Sequence, residues 1–161
     1  MPTDDGVTNV VIAGLGGQGV IKASDILAEA AFAAGLDVKK SELHGMSQRG
    51  GSVSSDVRFG KEVWSPMIPA GESDYLVVCS ADQVENNLPA LKKGGLLIRP
   101  EMIDENALAS KKSLNIALLG ALSAHLEIPE AVWLQTIREA FAPELFEGNE
   151  KAFRLGRDAK G

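Results

Sequence analysis

The strongest constraint on how this chain can fold is a glycine-rich segment near its start, Gly14-Leu-Gly16-Gly17-Gln18-Gly19, set between stretches of different periodicity. Before it, the apolar cluster Val10, Val11, Ile12 and Ala13 closes a short run from Val7 that glycine stops, a pattern suited to a strand buried on both faces. After it, Val20, Ala23, Leu27, Ala30, Ala31 and Ala34 recur at three- and four-residue steps, and Gly35 ends the pattern in the manner of a helix C-cap. Strand, glycine turn and helix form the opening of a βαβ unit. The turn fits G-x-G-x-x-G, in which glycines permit close backbone approach and the following helix presents free N–H groups to an anion. A tight turn without a ligand has the same spelling. Glu42 stands roughly 20 residues beyond the last glycine, where an NAD-binding fingerprint would place its ribose-binding carboxylate, so an NAD reading is open on spacing alone.

A second strand is expected over Asp37 to Leu43. A polar, glycine-rich segment follows, His44-Gly-Met-Ser47-Gln48-Arg49-Gly50-Gly51. Flexible backbone around one guanidinium and one amide suits an anion, a carboxylate or a partner's backbone; a plain surface loop is the alternative. Val53, Ser55, Val57 and Phe59 alternate with polar residues as in a half-buried strand, and Gly60-Lys61 reads as a hairpin turn from which Glu62 to Trp64 returns. Tyr75 to Cys79 is a further apolar strand. Asp82 is expected to cap a helix whose Val84, Leu88 and Leu91 share a face, closed by Gly94-Gly95. Leu96 to Ile98 is a strand stopped by Pro100.

The last third reads as helical. Ile116, Leu119, Leu122 and Leu126 form one stripe that Leu118 and Ala121 widen, as in a buried helix. Pro129 suits the first turn of the next helix, with Trp133, Leu134, Ile137 and Phe141 on its inner face. Phe146, Phe153 and Leu155 are docking candidates in a tail of mixed charge. The expected fold is α/β: a single Rossmann-like domain over residues 1–161, with a mostly parallel sheet, a β-hairpin insertion and a helical C-terminal third.

Composition narrows the chemistry. The chain has one Cys and two His. An iron–sulfur cluster takes about four thiolates and a structural zinc about four Cys or His ligands, so the chain alone can build neither. Cys79 closes an apolar strand and reads as an inert buried thiol, and His125 reads as an edge histidine of an apolar helix. Asn115 reads as an ordinary first-turn residue. A net charge of −6 argues against nucleic acid as a partner, the longest apolar stretch is too short to cross a bilayer, and the start of the chain lacks a basic leader, so a cytoplasmic location without membrane contact is expected.

Taken together, GLGGQGV (Gly14 to Val20), ELHGMSQRGGSV (Glu42 to Val53) and DVRFG (Asp56 to Gly60) resemble the gamma-type subunits of 2-oxoacid:ferredoxin oxidoreductases. The HGMSQRGG wording is most similar to the beta subunit of the indolepyruvate enzymes. Trp64-Ser65-Pro66, Asp74-Tyr75 and the Asn115 to Ala121 stretch are similar too. The resemblance implies an accessory subunit, inactive alone, of an enzyme that oxidatively decarboxylates a 2-oxoacid to an acyl-CoA and passes electrons to ferredoxin. It implies no catalytic residue and no cofactor on this chain. Thiamine diphosphate, Mg, iron–sulfur clusters and CoA would belong to the assembled enzyme, with thiamine-binding and iron–sulfur subunits as partners. Gly14, Gly16, Gly17, Gln18 and Gly19, with His44, Ser47, Gln48, Arg49, Gly50 and Gly51, are then the candidates for binding a ligand or partner, Arg49 through a phosphate or carboxylate. An NAD-dependent dehydrogenase and a non-catalytic nucleotide-binding adaptor are the competing readings.

Overall fold

The apolar run ahead of the glycine turn becomes the central strand of a five-stranded sheet in a computed structural model that describes residues 6–44 and 51–159. This strand, β1 (Val7–Leu15), is followed by α1 (Val20–Ala33), β2 (Asp37–His44), β3 (Ser52–Gly60), β4 (Ser73–Val78), a short α2 (Val84–Asn87), β5 (Leu91–Ile98), α3 (Leu114–Ser123), α4 (Glu130–Ala140) and α5 (Phe146–Asp158). The strand order is β2-β3-β1-β4-β5. β1, β4 and β5 run parallel, as their continuous apolar runs imply. β3 is antiparallel to both β1 and β2, so it lies between the two strands that α1 connects. The sheet is therefore mixed, and the α/β single-domain architecture holds.

Two local expectations are corrected. The hairpin is built from β2 and β3, and Glu62 to Trp64 is an irregular segment rather than a return strand. The Val63 amide is taken by the Asp37 carboxylate at 2.8 Å rather than by a neighbouring strand. The expected helix after Asp82 shrinks to the four residues of α2 flanked by 3-10 turns, and Leu91, Gly94 and Gly95 belong to β5. Pro89 lacks an N–H and stops the helix at that point. Asp82 caps nothing; its carboxylate accepts from the Ser80 hydroxyl at 2.5 Å.

Side-chain alternation splits the sheet into two faces. Val10, Ile12, Val57, Phe59, Tyr75 and Val77 point toward the helices and join Ile26, Leu27, Leu119, Trp133 and Phe153 in the main core. α1 and α3 lie against this face, with α4 packed on α1 and α5 on α3. Val11, Ala13, Leu76, Val78 and Val84 form a smaller cluster on the opposite face, under Ile68 and Leu91.

The α3–α5 crossing depends on two glycines. A Cβ on Gly120 would strike the Phe153 carbonyl oxygen, and one on Gly156 would strike the carbonyl oxygen of Ala117, backbone atoms that cannot swing away. Gly148, on the same helix as Gly156, has open space where its Cβ would be. Gly156→Ala should cost about 3 kcal/mol, because the helices must separate. Gly148→Ala should gain up to about 1 kcal/mol through helix propensity. Urea unfolding of both variants checks the contrast, and equal effects would refute the close crossing.

Candidate functional site

In open α/β sheets, ligands bind beyond the C-terminal ends of parallel strands, where neighbouring strands send their connections to opposite faces. β1 and β4 meet that condition: β1 leads into α1 on the main-core face, and β4 leads toward α2, whose Val84 packs on the other. The Gly14 to Gly19 turn and Cys79 both lie at that end. The Cys79 amide donates to the Ala13 carbonyl at 2.8 Å.

The turn is closed by its own atoms. The Gln18 amide donates to the Leu15 carbonyl at 3.2 Å, and the Leu15 amide donates back to Gln18 Oε1 at 2.7 Å. Gln18 thus folds over Gly14, where a Cβ would come within 2.7 Å of its Oε1. Gly17 and Gly19 hold positive φ angles of 88° and 77°, a conformation costly to other residues. The Gly16 amide donates to the Gly51 carbonyl at 2.9 Å, so the turn and the end of the second glycine motif are brought together. Leu15 faces Ser52 in the β1–β3 register, and the His44 backbone pairs with Val53. Residues 45–50, with Ser47, Gln48, Arg49 and Gly50, lie outside the described residues.

A second helix completes the site. Asn115, in the first turn of α3, donates from Nδ2 to the Gly19 carbonyl at 3.0 Å. Its side chain fills the space that a Cβ on residue 19 would need. Asn115 is buried, and its Oδ1 has no hydrogen-bond partner among the described residues. The starts of α1 and α3 therefore open onto one cavity of about 690 Å³. Lys22, Lys111 and Lys112 line it and, among the described residues, no Asp or Glu does, in a chain with a net charge of −6. Neither helix has an acidic residue in its first turn. Lys22 reaches the Ala140 carbonyl at 2.7 Å and sits 5.0 Å above the centre of the Phe141 ring, which forms an apolar wall with Leu145. The start of α1, which no side chain caps, and three ammonium groups favour an anionic ligand.

Sequence reasoning missed the lysines and took Asn115 as ordinary. Lys111 and Lys112 carried a signal: cations just ahead of an apolar helix oppose its dipole, and Ser110 caps the turn that holds them by accepting from the Lys112 amide at 3.2 Å. The NAD expectation at Glu42 is corrected. β3 lies between β2 and β1, about 10 Å of sheet by two strand spacings, and Glu42 pairs with Lys40, which also bonds Asp25 on α1 at 2.5 Å. His125 is exposed at the far end of the sheet, where its carbonyl accepts from the Tyr75 hydroxyl at 3.4 Å. Burial pushes the Cys79 thiol up to about 12, which makes it a poor nucleophile. The described residues contain no cluster of three or more His, Cys, Asp or Glu able to hold a metal ion, and no helix long and apolar enough to cross a membrane.

The family described as pyruvate ferredoxin/flavodoxin oxidoreductase matches residues 9–159. The indolepyruvate oxidoreductase subunit IorB of Thermococcus kodakarensis is 32% identical, over 92% of this chain and 93% of its own length. The pyruvate/ketoisovalerate oxidoreductases common subunit gamma of Thermococcus litoralis is 33% identical, over 71% of this chain and 65% of its own. In fold, the chain is similar to the pyruvate oxidoreductase subunit PORC of Thermotoga maritima, with a TM-score of 0.79, 22% identity, and 96% and 97% of the two chains covered. It is also similar to part of the Magnetococcus marinus 2-oxoglutarate:ferredoxin oxidoreductase solved with 2-oxoglutarate, coenzyme A and succinyl-CoA, with a TM-score of 0.80, 23% identity, and 94% of this chain but 30% of that one covered.

Two measurements probe the site. Gly19→Ala should cost about 2 kcal/mol, combining backbone strain with the collision against Asn115. In the Gly19→Ala/Asn115→Ala pair the collision is relieved, so the two losses should sum to less than their separate values; strict additivity in unfolding free energy would refute the contact. For Cys79, a folded pKa raised from 9.0 to about 12 means stability that is fully present below pH 9 and lost as pH rises toward 12. Unfolding free energies of the native protein should therefore fall relative to Cys79→Ala above pH 9, at up to about 1.4 kcal/mol per pH unit. A constant difference from pH 8 to 10.5 would show the thiol to be unburied.

Proposed function

The chain belongs to the pyruvate ferredoxin/flavodoxin oxidoreductase family, and we propose that it is the accessory, gamma-type subunit of a thiamine-dependent enzyme oxidising aryl-pyruvates such as indolepyruvate. In that enzyme the cavity between the starts of α1 and α3 receives the phosphate groups of coenzyme A. The charge of the cavity carries this reading: three lysines, the uncapped start of α1 and, among the described residues, no carboxylate in an otherwise acidic chain. The Phe141 and Leu145 wall suits the less polar part of the same ligand.

The other groups of the assembled reaction fit these residues poorly. Among the described residues the cavity lining has no carboxylate for the magnesium ion that accompanies thiamine diphosphate. The one cysteine of the sequence is buried and held as the neutral thiol, so it is no ligand for an iron–sulfur cluster. Thiamine-binding and iron–sulfur partner subunits, with ferredoxin as acceptor, supply what this chain lacks, and the protein works in the cytoplasm. The residues of this chain bind and orient: backbone N–H groups at the start of α1 face the anion, the lysines add long-range attraction, and Arg49 of the second glycine motif is the candidate partner for a phosphate or carboxylate. The 32% identity to the indolepyruvate subunit along nearly the whole chain supports the substrate class.

The isolated chain should oxidise no 2-oxoacid with thiamine diphosphate, CoA and a ferredoxin substitute present; turnover by it alone would overturn the subunit reading. In the enzyme reconstituted with its thiamine-binding subunit, Lys111→Glu/Lys112→Glu should raise the KM for CoA about tenfold, and more at low salt, while kcat at saturating CoA is largely kept. A KM for CoA equal to the native value would remove the anion site.

A further inference from the structure

The cavity at the glycine turn has two unlike halves. One is the start of α1 with Lys111 and Lys112, and the other is the apolar wall of Phe141 and Leu145. Lys22 touches both, because it lies in the first turn of α1 while its ammonium group reaches the end of α4. The three lysines of the lining are therefore not equivalent. Lys111 and Lys112 are exposed, and among the described residues neither ammonium group has a carbonyl or carboxylate partner. Lys22, also exposed, is already engaged, by the Ala140 carbonyl at 2.7 Å and by the Phe141 ring, whose centre is 5.0 Å away.

This engagement follows from how α4 ends. The last carbonyls of a helix have no partner within it, and a glycine in the left-handed conformation commonly closes them. α4 has no such residue: Phe141 is extended, with φ −127° and ψ 154°, and Pro143 has no N–H to offer. The Ala140 carbonyl is bonded instead by a side chain from another helix. A cation is disfavoured by the dipole at the start of α1 and favoured at the C-terminal end of α4, which is where the Lys22 charge is placed. The contact fixes Phe141 at one end of the wall. At the other end Asn149, buried in α5, donates from Nδ2 to the Leu145 carbonyl at 3.0 Å. Both ends of the wall are thus held by side chains that themselves line the cavity.

We infer that Lys22 is a positioning residue: it holds Phe141 in the wall and thereby gives the cavity a preference for an anion with an apolar arm over a bare one. This rests on the reading of the cavity as the coenzyme A site. The phosphate groups are left to the amides of α1 and to Lys111 and Lys112, whose ammonium groups are unoccupied. Two consequences separate this role from direct attraction. A direct contact would strengthen the binding of every anion and would act without Phe141. A positioning contact acts through Phe141, and on ligands that reach the wall. Methionine keeps the apolar stem of the lysine but neither bonds the carbonyl nor carries charge. Arginine keeps the charge, donates to carbonyls and stacks on aromatic rings.

The test titrates the full chain with coenzyme A and with inorganic pyrophosphate, which has no apolar part. Lys22→Met should weaken coenzyme A binding about fivefold, the size of an exposed cation–π contact, and pyrophosphate binding less than about twofold. Lys22→Arg should keep the native ratio of the two affinities. Phe141→Ala should bring the same loss as Lys22→Met, and combining the two should cost nothing further. The ring current of Phe141 should hold the ε-proton resonances of Lys22 upfield, and Phe141→Ala should release them. An equal loss for both ligands, a Lys22→Met loss that persists without Phe141, a ratio unchanged by Lys22→Met, or unshifted ε-protons in the native chain would each overturn the positioning role and leave the anion site standing. Failure of the native chain to bind either ligand would overturn the reading of the cavity, and the role of Lys22 with it.

Discussion

The hydrogen bond from Asn115 to the Gly19 carbonyl ties together two helix starts that are far apart in sequence, and the geometry of the cavity depends on it. The Gly19 carbonyl already accepts from the Ala23 amide as the first bond of α1. The second bond, from α3, orients both helices toward the same space. Residue 19 must then be glycine for two separate reasons, a left-handed backbone and the absence of room beside the Asn115 amide. A pattern that in sequence reads as a tight turn is, in the folded chain, a fully specified contact.

The electrostatics follow from that convergence. Helix N-termini usually recruit acidic residues, each contributing about 0.3–1 kcal/mol. α1 and α3 do without them, and the nearest charges are the cations Lys22, Lys111 and Lys112. Such an arrangement is unfavourable for the empty protein and favourable for one holding an anion. The surplus of acidic residues elsewhere makes the contrast sharper, since chance placement in a chain of net charge −6 would put carboxylates in the lining. The lysines lie in parts of the chain separated by most of the sheet, so only the fold assembles the field.

The same distinction between local and long-range order explains what could be read in advance. β1, the glycine turn and α1 were legible because period, turn chemistry and C-cap agree within a short window, and Gly35 does adopt the positive φ of a helix terminator. The insertion of β3 between β1 and β2 was not, because nothing local to Val53 through Phe59 names the partners on its two edges. The strand at Glu62 to Trp64 is expected from a Gly-Lys pair that fits a hairpin turn, yet Asp37 takes the Val63 amide, and Arg58 and Asp56 hold the Ser65 carbonyl and the Ile68 amide that follow. Of the site, the glycines were visible as a motif. Asn115 was not, because its role is a contact with a residue almost a hundred positions away.

Cys79 sharpens what the scarcity of cysteine means. It stands at the C-terminal end of β4, on the wall of the cavity, where an accessible thiol would be well placed for chemistry. Burial instead holds it as the neutral thiol. The most reactive side chain near the ligand space is thereby silenced, while the polar groups lining that space are backbone amides, ammonium ions, carboxamides and hydroxyls. Such groups bind and orient anions without exchanging electrons. The helix-bearing side of the sheet supplies the core and the anion cavity. A chain organised in this way contributes position and electric field.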